Sequence, residues 1–448
     1  MAGVAHTEAI ARYGGMVSAR GNDPRPFAAA IPAARIIFVN RFYAPDQSAT
    51  SRMLTDLATA LAADGSDVHV VTSRLLHDDA SASLASHEVK DGVVIHRVRT
   101  TRFGRSALLG RGLDYLSFHI AAANELSAVA RDGDVIVAKT DPPLVALAAA
   151  RVARKRGARL VNWLQDVFPE AAAAIGMAAA RGPVGWVLRF LRDRALRRSA
   201  ATVVLGEAMR QRIVARGIDP AKVIVISNWA DGAKLRPTDR ASNALRERWG
   251  LAGKLVVGYS GNMGRAHSFG TVLDAADVLS TQSDVAFVFI GGGMQKASLE
   301  RAMKERKLTN VHFKPYQPQN ELEQSLGAID AHLVTLRPEL EGLVVPSKFY
   351  GIAAVGRPTV FIGDPAGEIG TVIRKAECGF CVTAGDVAGL VAAILRLRDD
   401  PGLAARMGAN ARRVFDERFD KPIAVARWRC LLHDVAAERL VADGPDLS

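Results

Sequence analysis

Short apolar runs alternate with stretches of helical periodicity along most of the chain. The first is RIIFVN, beginning at Arg35, which predicts a buried strand. After the loop RFYAPDQSAT, Leu54, Leu57, Ala58 and Leu61 recur at i, i+3, i+4 and i+7, the spacing of a helix packed on a sheet. DVHVVT (Asp67 to Thr72) predicts the strand that closes a βαβ unit. Further strands are predicted at Val93 to Val98, Val135 to Ala138, Arg159 to Trp163, Ala201 to Leu205 and Val223 to Ile226. Helical stretches such as Leu144 to Lys155 separate most of them. Ser227 to Gly253 interrupts the pattern and reads as a linker. A second series starts with KLVVGYSGNMG and ends near Phe415. A last helix, Pro422 to Leu440, carries Trp428, Leu431, Leu432 and Val435 on one face. The expected fold is therefore α/β, with two doubly wound Rossmann-like domains at 35–226 and 254–415. A linker lies at 227–253, and residues 416–448 are placed to pack back on the first domain. Residues 1–34 show neither periodicity nor the apolar core of a signal peptide; they read as a loose tail, with Met16 as an alternative start.

The segment from Ala331 to Gly370 concentrates the chemistry. An apolar strand (His332 to Leu336) leads into a loop with Glu339 and Glu341. A short helix follows from about Ser347, with Lys348 at its start, then a Gly-Arg-Pro turn, the strand Thr359 to Ile362, and a helix opening at Glu368. In parallel sheets ligands sit outside the carboxyl ends of the strands, and helix N-termini there hold anions. Acidic groups suited to sugar hydroxyls beside a lysine suited to phosphate point to a nucleotide-sugar. Two glycine-bearing loops of the same half, Gly258 to Arg265 and Gly291 to Gly293, each follow a strand and would bring backbone N–H groups close to a phosphate. Neither is Gly-x-Gly-x-x-Gly at the first strand–helix turn of a domain, so NAD is not supported.

Composition narrows the partners. At 448 residues the chain is long enough for two full cores. A net charge of +12 favours an anionic partner, but aromatic residues are only 6% and no basic run is interleaved with them, which argues against nucleic acid. No uncharged apolar run is long enough to span a bilayer. Three cysteines cannot build a disulfide framework; Cys378 and Cys381 form Cys-x-x-Cys without a second ligand pair and read as packing residues. Asp132-Gly133-Asp134 precedes its strand and reads as a turn, so no metal site is expected.

The succession of the PDQSAT loop, LTDLATALAADGSDVHVVT, LVNWLQDVFPE, VIVISNWAD, YSGNMGRAHSF, VFIGGGMQKASLE and VPSKFYGIAAVGRPTVFIG resembles the retaining glycosyltransferases of family 4, over about Arg35 to Phe415. Their fold is the two-domain GT-B architecture. The likeness is closest to the branch that transfers N-acetylated amino sugars or deoxysugars in bacterial surface polysaccharide assembly. The resemblance implies a UDP-sugar donor, transfer with retention, no metal or other cofactor, and a leaving diphosphate that helps deprotonate the acceptor hydroxyl. The family's two glutamates, eight positions apart, fall here on Leu343 and Gly351; Glu341 and Glu368 are the candidate substitutes. Its Arg and Lys pair is incomplete, with Arg265 matching and Lys348 standing in for the lysine. The candidate nucleotide contacts are Gly261, Asn262, Arg265, Gly292, Tyr316, Lys348 and Glu368, and the candidate catalytic groups are Glu341 and Asp166. Against these stand plainer readings: Glu339 and Glu341 as solvated acids, Lys348 and Arg357 as helix caps or their ion partners, and Asp166 as the cap of the next helix.

In RGPVGWVLRFLRDRALRR (Arg181 to Arg198), Trp186, Val187, Phe190 and Leu191 fall on one side of a helix and Arg189 and Arg192 opposite, with Arg194, Arg197 and Arg198 intruding a turn later. An anionic membrane surface is the expected partner, a core-facing helix the alternative. The expectation is thus a glycosyltransferase peripheral on the cytoplasmic face of the membrane, acting on a polyprenyl-diphosphate-linked glycan. A UDP-N-acetylhexosamine 2-epimerase of the same fold and a catalytically silent binding subunit are the rivals.

Overall fold

The computed structural model describes residues 34–77, 79, 82–103, 108–240 and 242–438; the expectation for the N-terminal tail lies outside them. Fourteen strands among the described residues form two sheets. The first contains β1 (Ile36–Val39), β2 (Val68–Ser73), β3 (His87–Lys90), β4 (Val93–Val98), β5 (Val135–Lys139), β6 (Arg159–Trp163), β7 (Ala201–Val204) and β8 (Val223–Val225), in the order β3-β4-β2-β1-β5-β6-β7-β8. The second contains β9 (Leu255–Ser260), β10 (Val285–Ile290), β11 (Val311–Lys314), β12 (Ala331–Thr335), β13 (Thr359–Ile362) and β14 (Gly379–Val382), in the order β11-β10-β9-β12-β13-β14. Every pairing is parallel except β3 with β4. That edge hairpin was not anticipated: HEVK is largely exposed and has no apolar run to betray it.

The central strands are buried along nearly their whole length because helices cover both faces of each sheet. Helices used below are α1 (Ala49–Ala63), α2 (Leu108–Val129), α3 (Val145–Arg156), α4 (Gly182–Arg197), α5 (Glu207–Val214), α6 (Lys348–Ala354), α7 (Glu368–Ala376) and α8 (Lys421–Ala436). On one face of the first sheet, Leu54, Leu57 and Leu61 of α1 share a core with Trp163 and with Trp428, Leu431, Leu432 and Val435 of α8. The C-terminal helix therefore packs on the first domain, with the Trp163 and Trp428 rings 4.7 Å apart. The chain crosses between the sheets twice, and the crossings run side by side: the Lys421 amide donates to the Ala230 carbonyl at 2.9 Å. Residues 227–253 are not a bare linker. Asn243 caps a helical turn, Ala244–Arg248, whose buried Arg246 pairs with Asp330 of the second domain at 3.0 Å.

The sheets meet end to end. Asp166, past the end of β6, forms a β-bridge with Val344, past the end of β12, and the Val167 amide donates to the Leu343 carbonyl at 2.9 Å. A continuous apolar cluster, including Leu164, Val167, Met209 and Ile213 from one side and Leu340, Leu343, Phe349 and Ile369 from the other, backs this junction. The carboxyl ends of both sheets thereby face one cleft.

The arginine-rich segment is the helix α4, and its apolar side does not face the core as the alternative reading expected. Val184, Trp186, Val187 and Phe190 are exposed, Trp186 and Phe190 stacking at 5.9 Å, whereas Arg192 is buried. Its guanidinium bonds Glu170 at 2.5 and 3.0 Å, Asp193 at 2.7 Å and the Phe168 carbonyl at 3.0 Å. The carboxylates of the adjacent Asp193 and of Glu170, on the preceding helix, hold the arginine inward, and the apolar ridge is left outside.

Candidate active site

The strand order reverses twice, between β1 and β5 in the first sheet and between β9 and β12 in the second. Adjacent loops splay apart at such points and leave a crevice for a ligand. In the second sheet the crevice loops are the YSGNMGRAHSF segment after β9 and the Glu341–Lys348 segment after β12.

The glycine loops are built as close backbone approaches. Gly261, Gly291 and Gly293 have φ of 126°, 128° and 124°, where a side chain is strained. A Cβ on Gly291 would stand 2.4 Å from the Gly261 carbonyl oxygen, and one on Gly293 would stand 2.3 Å from Asn262 Oδ1. The Met263 amide donates to the Gly292 carbonyl at 2.7 Å, lacing the two loops together. Tyr316 lies against Gly291 and Gly292, exposing much of its ring. Asn262 and Arg265 are both exposed at the same rim.

Lys348 extends from the start of α6 across this floor. Its Cε is 2.7 Å from where a Cβ of Gly261 would be, and its amine lies 5.0 Å from the centre of the Tyr259 ring. No carboxylate of the described residues is within ion-pair distance of it, so it pairs with neither Glu339 nor Glu341. Burial lowers its pKa from 10.5 to about 8. Its polar neighbour is His267, with Nζ and Nε2 3.3 Å apart. His267 escaped the sequence reading, although a histidine closing a glycine-rich loop is a usable signal.

The acidic candidates have other placements. Glu339 is exposed and 3.5 Å from Arg337. Glu341 is partly buried, and its Oε1 accepts the Glu368 amide at 2.9 Å, so it caps α7. Burial raises its pKa all the same. The Glu368 carboxylate leans across the cleft to the start of α5, where the Ala208 amide donates to it at 3.4 Å and Gly206 leaves room for it. Each carboxylate therefore sits at a helix N-terminus, the favourable end of the dipole, and Glu368 ties the two domains together. Arg357 donates to the carbonyls of Thr238 and Gly327 and is away from the crevice loops.

Asp166 does not cap the following helix, whose N-cap is Pro169. Its Oδ1 is enclosed and unpartnered. Burial first, and then the charge of Asp141, raises its pKa from 3.8 to about 6. Asp141 itself, after β5, is raised by burial against the opposing pull of Arg41, His77 and Lys139. Lys139 is fully buried, donates to the Thr50 carbonyl at 2.8 Å and lies 3.8 Å from the Trp163 ring centre; burial drives its pKa well below 10.5. Arg41, Lys139 and Asp141 were not singled out from the sequence, though each directly follows or ends an apolar strand run. A cavity of about 410 Å³ lined by Arg240, Arg357 and Arg398 lies at the opposite, amino ends of the second sheet's strands, away from all these groups.

Two facing Rossmann-like domains, with a phosphate-type floor on one and buried carboxylates on the other, define the architecture of a GT-B glycosyltransferase. The family described as "Glycosyl transferase 4-like domain" matches residues 48–229, and "Glycosyl transferases group 1" matches residues 242–414. The chain belongs to these glycosyltransferases. It is 26% identical over 337 residues to "Probable glycosyltransferase WbjE" of Pseudomonas aeruginosa, covering 75% of this chain and 84% of that protein. It is also 26% identical over 363 residues to WcaI of Escherichia coli (strain K12), named as a candidate colanic acid biosynthesis glycosyl transferase, covering 79% and 89%. Among solved structures, Anabaena HepE in complex with UDP superposes with a TM-score of 0.65 at 14% identity, covering 91% of this chain and all of that one.

Proposed function

We propose that this glycosyltransferase moves a sugar from a UDP-sugar to a lipid-linked acceptor in bacterial surface polysaccharide assembly, with retention at the anomeric carbon. The observation that carries the donor half is the Lys348 amine, buried over the Gly261 turn at the β9/β12 reversal with no carboxylate to neutralise it. A diphosphate is the charge such a site lacks. Arg265 at the rim and the backbone N–H groups of the Gly261 and Gly292 loops would take the rest of the leaving-group charge, so transfer proceeds without a metal. Tyr316, on the glycine floor, would border the nucleotide. Glu341, at the head of α7, would approach the donor sugar, and Glu368 the ribose from the domain junction. Asp166 faces them from the acceptor side. UDP in the HepE complex supports the nucleotide; the names of WbjE and WcaI support a polysaccharide product, of which an N-acetylated amino sugar or deoxysugar is our reading.

The acceptor half rests on the surface of the first domain. Helices α2, α3 and α4 lie side by side. Leu113, Leu116 and Ile120 of α2 and Val184, Trp186, Val187 and Phe190 of α4 are exposed there, with Arg154, Arg194 and Arg197 exposed on the same helices. No helix among the described residues is long and apolar enough to cross a membrane. Exposed apolar groups and arginines on the same helices suit peripheral contact with an anionic leaflet on the cytoplasmic face, where a polyprenyl-diphosphate-linked glycan would be presented. The deciding experiment is UDP release from UDP-sugars with and without lipid-linked acceptor. Release that requires acceptor supports transfer; interconversion of UDP-N-acetylhexosamine alone would instead identify an epimerase, and binding without turnover a silent subunit.

A further inference from the structure

We propose that His267 is a positioning residue: it holds the Lys348 amine over the Gly261 turn, aimed at the donor diphosphate. The proposal rests on the donor reading above and extends it to a residue outside the family's charged pair.

The geometry assigns the role through the tautomer. His267 Nδ1 lies 2.7 Å from the carbonyl oxygen of Thr335, the last residue of β12. A carbonyl only accepts, so Nδ1 carries the hydrogen and Nε2 presents a lone pair. That lone pair faces the Lys348 amine at 3.3 Å. The imidazole is itself fixed on two more sides, edge-on to the Tyr259 ring at 5.5 Å and against Phe269 at 6.1 Å. Burial, then the neighbouring lysine charge, lowers the His267 pKa to about 4, so the ring stays neutral at working pH. The groups facing the amine are thus the neutral His267 ring, the Tyr259 face and the Gly261 turn.

Such surroundings have a chemical consequence. A carboxylate in place of His267 would hold the lysine equally well but would cancel its charge before any phosphate arrived. A neutral acceptor and a π face orient the ammonium and leave its charge for the ligand. The segment bearing His267 follows β9 and Lys348 follows β12, so their contact also ties the two loops of the crevice at one point.

The hydrogen bond from Lys348 to Nε2 exists only to the extent that the amine donates, and it favours the ammonium form. Removing it lowers the pH at which Lys348 loses its proton, a readout that a merely structural histidine would not move. The test is trace acetylation of the intact protein across pH 6–11, with mass spectrometry of the Lys348 peptide, in wild type, His267→Gln and His267→Leu. The wild-type midpoint is expected near 8. His267→Leu should fall by about one pH unit, and His267→Gln, whose amide oxygen reaches the Nε2 position, should stay near wild type. UDP affinity at pH 7 should follow the same order, about tenfold weaker in the leucine variant. If His267→Leu does not fold, His267→Asn replaces it: the shorter amide keeps the Thr335 bond and loses the lysine. Equal midpoints in all variants would overturn the positioning role. A wild type whose labelling follows the expected order yet binds no UDP would overturn the donor reading instead.

Discussion

Replacing Lys348 with methionine should make the protein more stable and the enzyme worse. The methionine keeps the length and apolar stem of the side chain and deletes the buried amine. Burial lowers the Lys348 pKa from 10.5 to about 8, and that difference corresponds to roughly 3 kcal/mol against the charged form in the folded state. The sign follows from the protons bound. Below pH 8 both folded and unfolded chains carry the ammonium, and the folded one bears the full penalty. Between pH 8 and 10.5 the unfolded chain binds more protons, so stability rises with pH through that window. Lys348→Met should therefore raise the stability of the C-terminal domain at pH 7 by up to about 3 kcal/mol, less about 1 kcal/mol for the lost His267 hydrogen bond. Over the same substitution, UDP affinity should fall by about 1.5–3 kcal/mol, roughly 10- to 150-fold. Urea denaturation at pH 7 and pH 10 reads the first quantity, and calorimetric titration with UDP the second. A variant less stable than wild type at pH 7 would mean that the amine has a favourable partner in the free protein. Unchanged UDP affinity would remove Lys348 from the diphosphate site. Either result refutes the reasoning.

Further outcomes are expected at other sites. Asp166, with its pKa raised from 3.8 to about 6, penalises the folded state at pH 7, and stability declines as pH rises through that interval. Asp166→Asn should thus raise the midpoint of thermal unfolding at pH 7 while lowering acceptor-dependent turnover by about 100-fold or more; a turnover loss matched by equal loss of stability would mark Asp166 as structural. Arg192→Ala should destabilise the first domain by about 1.5–3 kcal/mol, because it removes a buried guanidinium from the half-buried Glu170 and from Asp193, which keeps Arg216, and a shift below about 1 kcal/mol by denaturant titration would contradict that. Trp186→Ser with Phe190→Ser, or glutamate at Arg194 and Arg197, should release the protein from anionic vesicles in co-sedimentation while leaving UDP binding intact. Retention by all of these variants would remove α4 from the membrane surface.

The sheet and helix pattern was legible because the central strands are dominated by apolar residues and most helices carry an apolar stripe. Two strands were missed, both at sheet edges: β3, whose pairing comes from the hairpin with β4 and not from burial, and β11, whose VHFK alternates with polar residues and buries only its first side chain fully. Gly261, Asn262, Gly292 and Lys348 could be gathered into one crevice from their places after β9, β10 and β12. The acids were harder. Whether Glu341 and Glu368 meet a ligand or a helix end depends on the relative placement of α5 and α7, which no local pattern encodes. The same limit explains Arg192: periodicity set it opposite the apolar residues, but only the fold shows that its side is the buried one, against Glu170. Asp141 acquires its environment from Arg41 and His77 on other segments, whereas His267, closing a glycine-rich loop, was legible and passed over.

The central claim is that the donor diphosphate binds at the β9/β12 reversal, and hydrogen–deuterium exchange with and without UDP tests it most directly. Backbone amides of a phosphate-holding loop gain protection when occupied, so residues 258–269, 291–295 and 336–350 should slow markedly with UDP. GDP at equal concentration should have a smaller effect. Protection confined to the cavity lined by Arg240, Arg357 and Arg398, or none in the three segments at saturating UDP, would contradict the account.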